Sequence, residues 1–532
     1  MSNPYIRTTG NTKVLMVHDR PFIMLAGEVH NSNSSNAEYM EQVWKQADDL
    51  GMNSLLLPVS WEIIEPEEGR FDFTLVDALI DQARKYGKKI GFLWFGSWKN
   101  AQCYYAPSWV KTDLDRFPRA QVEKGKSNVR AVHGMPYTTL SAFCEETMVA
   151  DARAFVKLME HIREVDETEN TVICIQVENE TGLLGAGREQ SDKADKMFAQ
   201  PVPEGLVRWL REHADDLSAE LSGAFGENAP EGADWEGVFG DMAEEVFTAF
   251  YTASFVNHVA EAGKKAYPLP MAVNCWLDKG QKPGKYPTGG PVAKVMDIWR
   301  YAAPAIDIIA PDIYVPYFCD VCKDYAGKGN PLFIAECATH SYAGIRELYV
   351  VGHHHAMCYS PFGFEDMGKP FTAMQGILFG MDTDDEALKT PQDPGEYRQI
   401  SLMLQELTPY LCERYGSEKL QAAISEKPEE NTLDFGLFQF RVVFDSPFIR
   451  RKNGACLMLQ TGEDEFYAIV CGCSLDVASE DAGRPNVDYL CVEEGHFADG
   501  AWAPGRRLNG DEITMMLFEE PTMLKIQVFA YR

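Results

Sequence analysis

Apolar and polar positions follow one rhythm over the first two thirds of the chain and another over the last quarter. Short runs that are largely apolar, at 21–27, 54–60, 89–95, 171–177, 269–274, 306–310, 332–335 and 356–359, read as strands buried on both faces. Between them apolar residues recur three and four apart. Tyr39, Met40, Val43, Trp44 and Leu50 predict a helix over 36–50, and the same spacing predicts helices over 73–86, ended by Gly87, and over 146–165. Eight alternations of this kind predict a parallel sheet closed on itself: an α/β fold, the (β/α)8 TIM barrel, over 12–411, with insertions near 97–145 and 181–240. After Leu411 helical periodicity nearly vanishes. Strand-like runs at 435–444, 465–471, 513–517 and 524–531, separated by Gly, Asn, Asp and Pro, predict an antiparallel, sandwich-like β domain over 418–532. A helix near 396–411 is expected to join it to the barrel.

The length agrees, since 532 residues accommodate a barrel of about 250 residues before insertions and an accessory domain. With 45% hydrophobic and 24% charged residues the chain can build a full core, which excludes general disorder. Asp and Glu number 80 against 49 Lys and Arg, a formal charge of −31. Such a chain repels phosphate backbones and anionic lipid, so nucleic acid and membrane are not expected partners. No apolar run nears the ~20 residues of a membrane span, and the first ten residues lack the basic and apolar regions of a signal peptide. Thirteen cysteines, an odd number scattered through strands and helices, suit reduced thiols and a cytoplasmic location. Cys319-x-x-Cys322 and Cys471-x-Cys473 lack a second pair at finger-like spacing, and His353-His354-His355 reads as a polar turn or pocket wall, so no metal is expected.

In a (β/α)8 barrel the reactive groups stand at the C-terminal ends of the strands. Here those positions hold Glu28 and His30, then Trp61 and Glu62, then Trp94, Gly96 and Trp98, then Glu178, Asn179 and Glu180. The later strands end in Asn274 and Trp276, Asp312 and Tyr314, Glu336, and Tyr359. Carboxylates, amides and aromatics dominate, with no phosphate-binding glycine loop and no Ser/His/Asp set. That mixture fits sugar chemistry. Cleaving a glycosidic bond takes one carboxylic acid to protonate the leaving oxygen and one carboxylate to meet the developing oxocarbenium ion. Aromatic faces stack on the C–H side of a pyranose, while Asn and Glu take its hydroxyls. If the fourth and seventh strands face each other, Glu180 and Glu336 are the natural pair; a separation of about 5–5.5 Å means retention and about 6.5–9.5 Å inversion. Glu28 is a hydroxyl ligand or a barrel-floor ion-pair partner, and Tyr359 lines the pocket or the core. Trp61, Trp98 and Trp276 stack on sugar or pack loops, and His30 binds a ligand or orients a neighbour. The aromatic stretch 103–109 folds over the pocket or forms a subunit contact.

Gln176-Val-Glu-Asn-Glu180 looks like the Asn-Glu signature that carries the acid/base in the large barrel clan of retaining glycosidases. With Ala26-Gly-Glu-Val-His30, Pro58-Val-Ser-Trp-Glu62, Pro66-Glu-Glu-Gly-Arg-Phe-Asp72 and Trp94-Phe-Gly-Ser-Trp98, it resembles bacterial β-galactosidases of glycoside hydrolase family 35, in the subgroup with a short C-terminal β domain. The resemblance covers about residues 12–410. It implies a retaining, exo-acting hydrolase that removes terminal non-reducing β-D-galactose from small galactosides or oligosaccharides, without a cofactor; a homo-oligomer is compatible with it. It implies Glu180 as acid/base, Asn179 on the sugar 2-hydroxyl, and Glu336, in Pro331-Leu-Phe-Ile-Ala-Glu-Cys337, as nucleophile. Tyr314 is then the hydrogen-bond donor that keeps the nucleophile ionised. Glu28, Trp61, Trp98, Asn274, Trp276 and Tyr359 complete the expected substrate-binding set, and Asp312, Glu347 and Glu365 are the other acids weighed as nucleophile. Competing readings are a glucosidase, galactofuranosidase or arabinopyranosidase on this scaffold, and a carbohydrate-binding protein without turnover.

Overall fold

A computed structural model describes the chain except residues 1, 11, 131–133, 227–229, 231, 373–375, 377–388 and 499. Eight strands form the central sheet: β1 (Met24–Glu28), β2 (Ser54–Ser60), β3 (Lys89–Lys99), β4 (Val172–Asn179), β5 (Met271–Trp276), β6 (Ile308–Ile313), β7 (Phe333–Cys337) and β8 (Cys358–Pro361). They close into a barrel in the order β5-β6-β7-β8-β1-β2-β3-β4, the TIM-barrel class expected from the alternation of strand and helix. Every residue of β2 and β4 is buried, as parallel strands covered on both faces require.

Most strands outrun their expected ends. β3 continues to Lys99 rather than 95, β4 to Asn179 rather than 177, and β6 to Ile313 rather than 310. Among the extra residues Lys99 pairs with Asn179 and Asp312 with Trp276, polar positions that keep backbone pairing while breaking the apolar pattern. The β3–β4 register slips between Trp94↔Val177 and Lys99↔Asn179. Around the strands run α1 (Ala37–Asp49), α2 (Thr74–Lys85), α3 (Glu145–Asp166), α4 (Ala243–Ala266), α5 (Met296–Ala302), α6 (Phe318–Tyr325), α7 (Ala343–His353) and α8 (Pro394–Arg414). α2 buries Val76, Leu79, Ile80 and Ala83, one stripe at helical spacing. Gly87, at φ 64°, turns the chain out of that helix into β3, a left-handed position that glycine takes without steric cost.

By packing, the described chain forms two compact units, one of Met1–Tyr5, Asn31–Glu41 and Leu56–Asp312, the other of Ile6–His30, Gln42–Leu55 and Ile313–Arg532. The first carries both insertions, built from short helices such as Ser108–Thr112, Asp192–Phe198, Glu204–Glu212 and Trp235–Phe239. The second carries a small N-terminal sheet of Tyr5–Thr9, Thr12–Val17 and Arg20–Phe22 and the C-terminal β structure. There a six-stranded sheet and a four-stranded sheet share one core. Met458, Phe466, Leu524 and Ile526 come from the first sheet, and Phe438, Phe440, Val442 and Leu475 from the second. In Phe438–Val443 the residues alternate between buried and outward-facing, the period-2 pattern of a sheet with one face packed. The run at 513–517 is a correction. It forms a one-turn helix, Asp511–Met515, and only then a short strand, Leu517–Phe518, because Gly510 and Met516 at positive φ bracket a turn too short for periodicity to identify.

Candidate active site

In the first unit the site grows from the end of β4. Glu178 and Glu180 have φ of 63° and 44°, left-handed backbone that non-glycine residues seldom take. Two such residues flanking Asn179 abolish the alternation of a strand, and the two glutamates part company. Glu178 is wholly buried, its Oε2 accepting from Trp98 N at 2.7 Å, and it lies beside Asp151 of α3. Glu180 is 6% exposed and accepts a hydrogen bond at Oε2 from Asn100 Nδ2. Its backbone is held on both sides: Glu180 N donates to Asn274 Oδ1 at 2.9 Å, and Ala101 N donates to the Glu180 carbonyl at 3.0 Å. Asn274 Nδ2 donates to Asp312 Oδ2 at 2.8 Å, and a carboxylate oxygen of Asp312 lies within 4.8 Å of one of Glu180. Asn274 is therefore occupied at both ends by protein and orients Glu180 and Asp312. Lys279, at φ 51°, stands near enough for the Glu180 charge to raise its pKa against the larger lowering by burial. Asn179 is fully buried, and neither its side-chain oxygen nor its nitrogen has a hydrogen-bond partner among the described residues. A buried amide left open in this way is built for a ligand or an ordered water.

The tryptophans of this unit divide. Trp61 is buried, donates from Nε1 to Glu65 Oε2 at 2.9 Å and meets Trp109 edge-on, which is loop packing. Trp98 is 2% exposed and lies edge-on against Phe255 of α4, with its Nε1 lacking a partner among the described residues. Trp276 is partly exposed and packs on Ala101, Tyr137 and Leu184, leaving it the one of the three with open surface.

In the second unit Tyr314 donates its hydroxyl to Glu336 Oε2 at 2.7 Å, both side chains buried. The other oxygen of Glu336, Oε1, has no hydrogen-bond partner among the described residues. Glu28 is fully buried at the end of β1, its carbonyl accepting from Gly363 N at 2.8 Å. His30 pairs with Asp366 at 2.9 Å, and its backbone N–H donates to Glu365 Oε1, so both His30 and Glu365 orient neighbours. Gly363, at φ 62°, has no room for a side chain, because a Cβ would fall 2.6 Å from the His30 ring. Tyr359 is fully buried, against the Cys337 thiol, Tyr397 and Arg346, surroundings that match the core alternative of the two read from the sequence. Glu347 also lies in the core: it sits on α7, wholly buried, and takes hydrogen bonds from Tyr397 and Ser401 of α8.

The motifs weighed as metal half-sites are engaged in packing. Cys319 and Cys322 are buried on α6, and burial pushes the Cys319 thiol up to about 12. His353 and His355 face the carbonyls of Ala422 and Leu420. Sequence reasoning missed Asn100 and Lys279 as neighbours of Glu180. Both sit in loops just past strand ends, and both have positive φ, which nothing but a side-chain preference for asparagine signals in advance. No helix of the described residues is long and apolar enough to cross a membrane.

Residues 30–229 match the family model of glycoside hydrolase family 42, described as "Beta-galactosidase", and residues 398–518 match a "Domain of unknown function" model, DUF5597. No curated protein matches the chain. Among solved structures, a β-galactosidase from Bacillus circulans sp. alkalophilus is similar at 15% identity and a TM-score of 0.46, over 73% of this chain and 57% of that one. A cold-adapted β-galactosidase from Rahnella sp. R3 gives 15%, 0.44, 73% and 56%, and one from the psychrophilic Marinomonas ef1 gives 12%, 0.45, 73% and 60%. The chain thus spans under two thirds of the length of these chains. The family-42 match corrects the expected family, 35. The motifs at 58–62, 66–72, 94–98 and 176–180 that suggested family 35 all lie within the stretch that the family-42 model matches. The matched stretch includes Asn179 and Glu180 and stops before Glu336. Over residues 30–229, then, the chain carries a domain similar to the glycoside hydrolases that this model describes.

Proposed function

We propose that the protein is a retaining, exo-acting β-galactosidase that releases terminal non-reducing galactose from small galactosides by double displacement. Glu336 Oε1 attacks the anomeric carbon, the bond to the aglycone oxygen breaks, and that oxygen takes the proton of Glu180. Glu180, now a carboxylate, takes a proton from water; the water oxygen bonds to the anomeric carbon, and the ester to Glu336 breaks. The scheme uses no metal or organic cofactor. The observation that carries this reading is the dress of Glu336. One oxygen is fixed by the Tyr314 hydroxyl, and the other is buried without a partner among the described residues, at the C-terminal end of a barrel strand, as a nucleophile awaiting substrate requires. Glu180 directly follows β4 of the same closed barrel, beside the open amide of Asn179, which supports its role as acid/base next to a sugar hydroxyl.

The test is chemical. Glu336→Gln is expected to abolish turnover with the fold intact. Glu180→Ala with azide is expected to yield the β-glycosyl azide from an activated aryl galactoside. Release of the opposite anomer by the parent enzyme, observed by proton NMR, sinks double displacement; a panel of aryl glycosides assigns the sugar.

A further inference from the structure

Behind the rim, the first unit buries a second pair of acids that the scheme above leaves unused. Asp151 of α3 and Glu178 of β4 are both wholly enclosed. Asp151 accepts three hydrogen bonds, from Trp94 Nε1 at 2.8 Å, Ser97 N at 2.9 Å and Ser97 Oγ at 2.5 Å. The two carboxyls meet over Gly96, where an added Cβ would lie 2.7 Å from Glu178 Oε1 and 2.8 Å from Asp151 Oδ1. The motif Trp94-Phe-Gly-Ser-Trp98 is therefore a cradle for an acid pair. Two carboxylates this close in the interior cannot both ionise. Asp151, with three donors, keeps the charge. Glu178, whose carboxyl is driven far above its ordinary pKa by burial and by the Asp151 charge, keeps the proton; its Oε1, which accepts from no donor among the described residues and lies with Asp151 Oδ1 over Gly96, is the oxygen placed to carry it.

Glu178 leads at once into Asn179 and Glu180, and both glutamates hold the left-handed backbone already described. Such conformations persist only where the surroundings fix them. On the Glu180 side the fixing bonds run from its own N–H to Asn274 and from Ala101 N to its carbonyl. On the Glu178 side they are the carboxyl's contacts with Trp98 N and Asp151.

We propose that the Asp151–Glu178 pair positions Glu180: their shared hydrogen bond locks Glu178 against α3 and so holds the turn that presents the next acid to Asn100 and Asp312. Its catalytic consequence rests on the reading of Glu180 as acid/base. Neither residue touches reacting atoms, so both are positioning residues.

Glu178→Gln keeps a donor toward Asp151 and an oxygen toward Trp98 N, and is expected to stay within a few-fold of the parent in kcat. Glu178→Leu removes the pair. Its kcat/KM is expected to fall at least tenfold further with a poor leaving group, such as methyl β-galactoside, than with 2,4-dinitrophenyl β-galactoside, because only the former needs a placed proton. Its crystal structure is expected to show Glu180 displaced from Asn100. Asp151→Asn, which replaces one acceptor by a donor, gives the same comparison should the leucine variant not fold. An equal loss on both substrates, a glutamine variant as impaired as the leucine one, or an undisturbed Glu180–Asn100 bond in Glu178→Leu overturns the proposal. A parent enzyme inactive on every aryl glycoside sinks the function proposed above, while the crystallographic comparison still decides whether the pair positions Glu180.

Discussion

At the scale of single residues, the site is made by departures from regular geometry. A period-2 strand would send Glu178 and Glu180 to one side; two left-handed residues send one toward α3 and the other toward Asn100. The same scale separates platforms from packing. Trp61, Trp98 and Tyr359 stand at strand ends as the sequence suggested, yet their rings are enclosed by Trp109, Phe255, and Cys337 with Tyr397. Only Tyr314 among the expected aromatics makes a hydrogen bond to a carboxylate of the proposed mechanism among the described residues. A hydrogen bond to a charged group contributes about 1.5–3 kcal/mol, which corresponds to a rate factor of roughly ten to a hundred. Tyr314→Phe is therefore expected to lower kcat by that factor with KM nearly unchanged in steady-state kinetics. A raised KM at constant kcat would instead make Tyr314 a ground-state binding residue.

At the scale of elements, strand cores were legible and strand ends were not. The run 54–60 was located to the residue as β2, because an all-apolar strand contrasts with its flanks. β3, β4 and β6 end in residues that sequence reads as loop. Helix α7 shows the cost of its place: all of Ala343–Gly352 is buried, so its charged residues need partners. Arg346 has Glu426, at 2.7 and 2.6 Å. Glu347 is met by the hydroxyls of Tyr397 and Ser401 rather than by a cation, and burial raises its pKa to about 8. A carboxyl whose folded pKa lies above its ordinary 4.5 binds its proton more tightly in the native state. Its contribution to stability is complete below pH 4.5 and is lost as pH rises through about 8. Every tenfold gain in proton affinity on folding corresponds to about 1.4 kcal/mol. Glu347→Gln, which keeps hydrogen-bonding atoms without the charge, is expected to lose less stability than the parent between pH 5 and 8 in thermal melts. Parallel pH dependences for the two proteins would refute this assignment.

At the scale of the whole molecule, the C-terminal β structure belongs to the same compact unit as α7. Gly352 of that helix admits no side chain, since a Cβ would fall 2.7 Å from Ala422 and 2.9 Å from Leu457. His355 Nε2 meets the Leu420 carbonyl at 3.2 Å. A chain cut before residue 418 exposes this apolar face, and is expected to aggregate or unfold when its mass and circular dichroism are measured. A soluble, active, monomeric fragment would show that the β structure is an independent accessory. The sequence by itself determined the barrel, the β character of the C-terminal part and the strand ends that bear Glu180 and Glu336, because burial periodicity and residue chemistry are written locally. Which glutamate of Glu178-Asn-Glu180 faces Asn100, which aromatics are enclosed, and which acid hides in a helix were decided by tertiary structure alone. Those outcomes depend on positive φ angles and on partners such as Asp151, Asn274 and Ser401, dozens of residues away in the chain, and no local pattern encodes them.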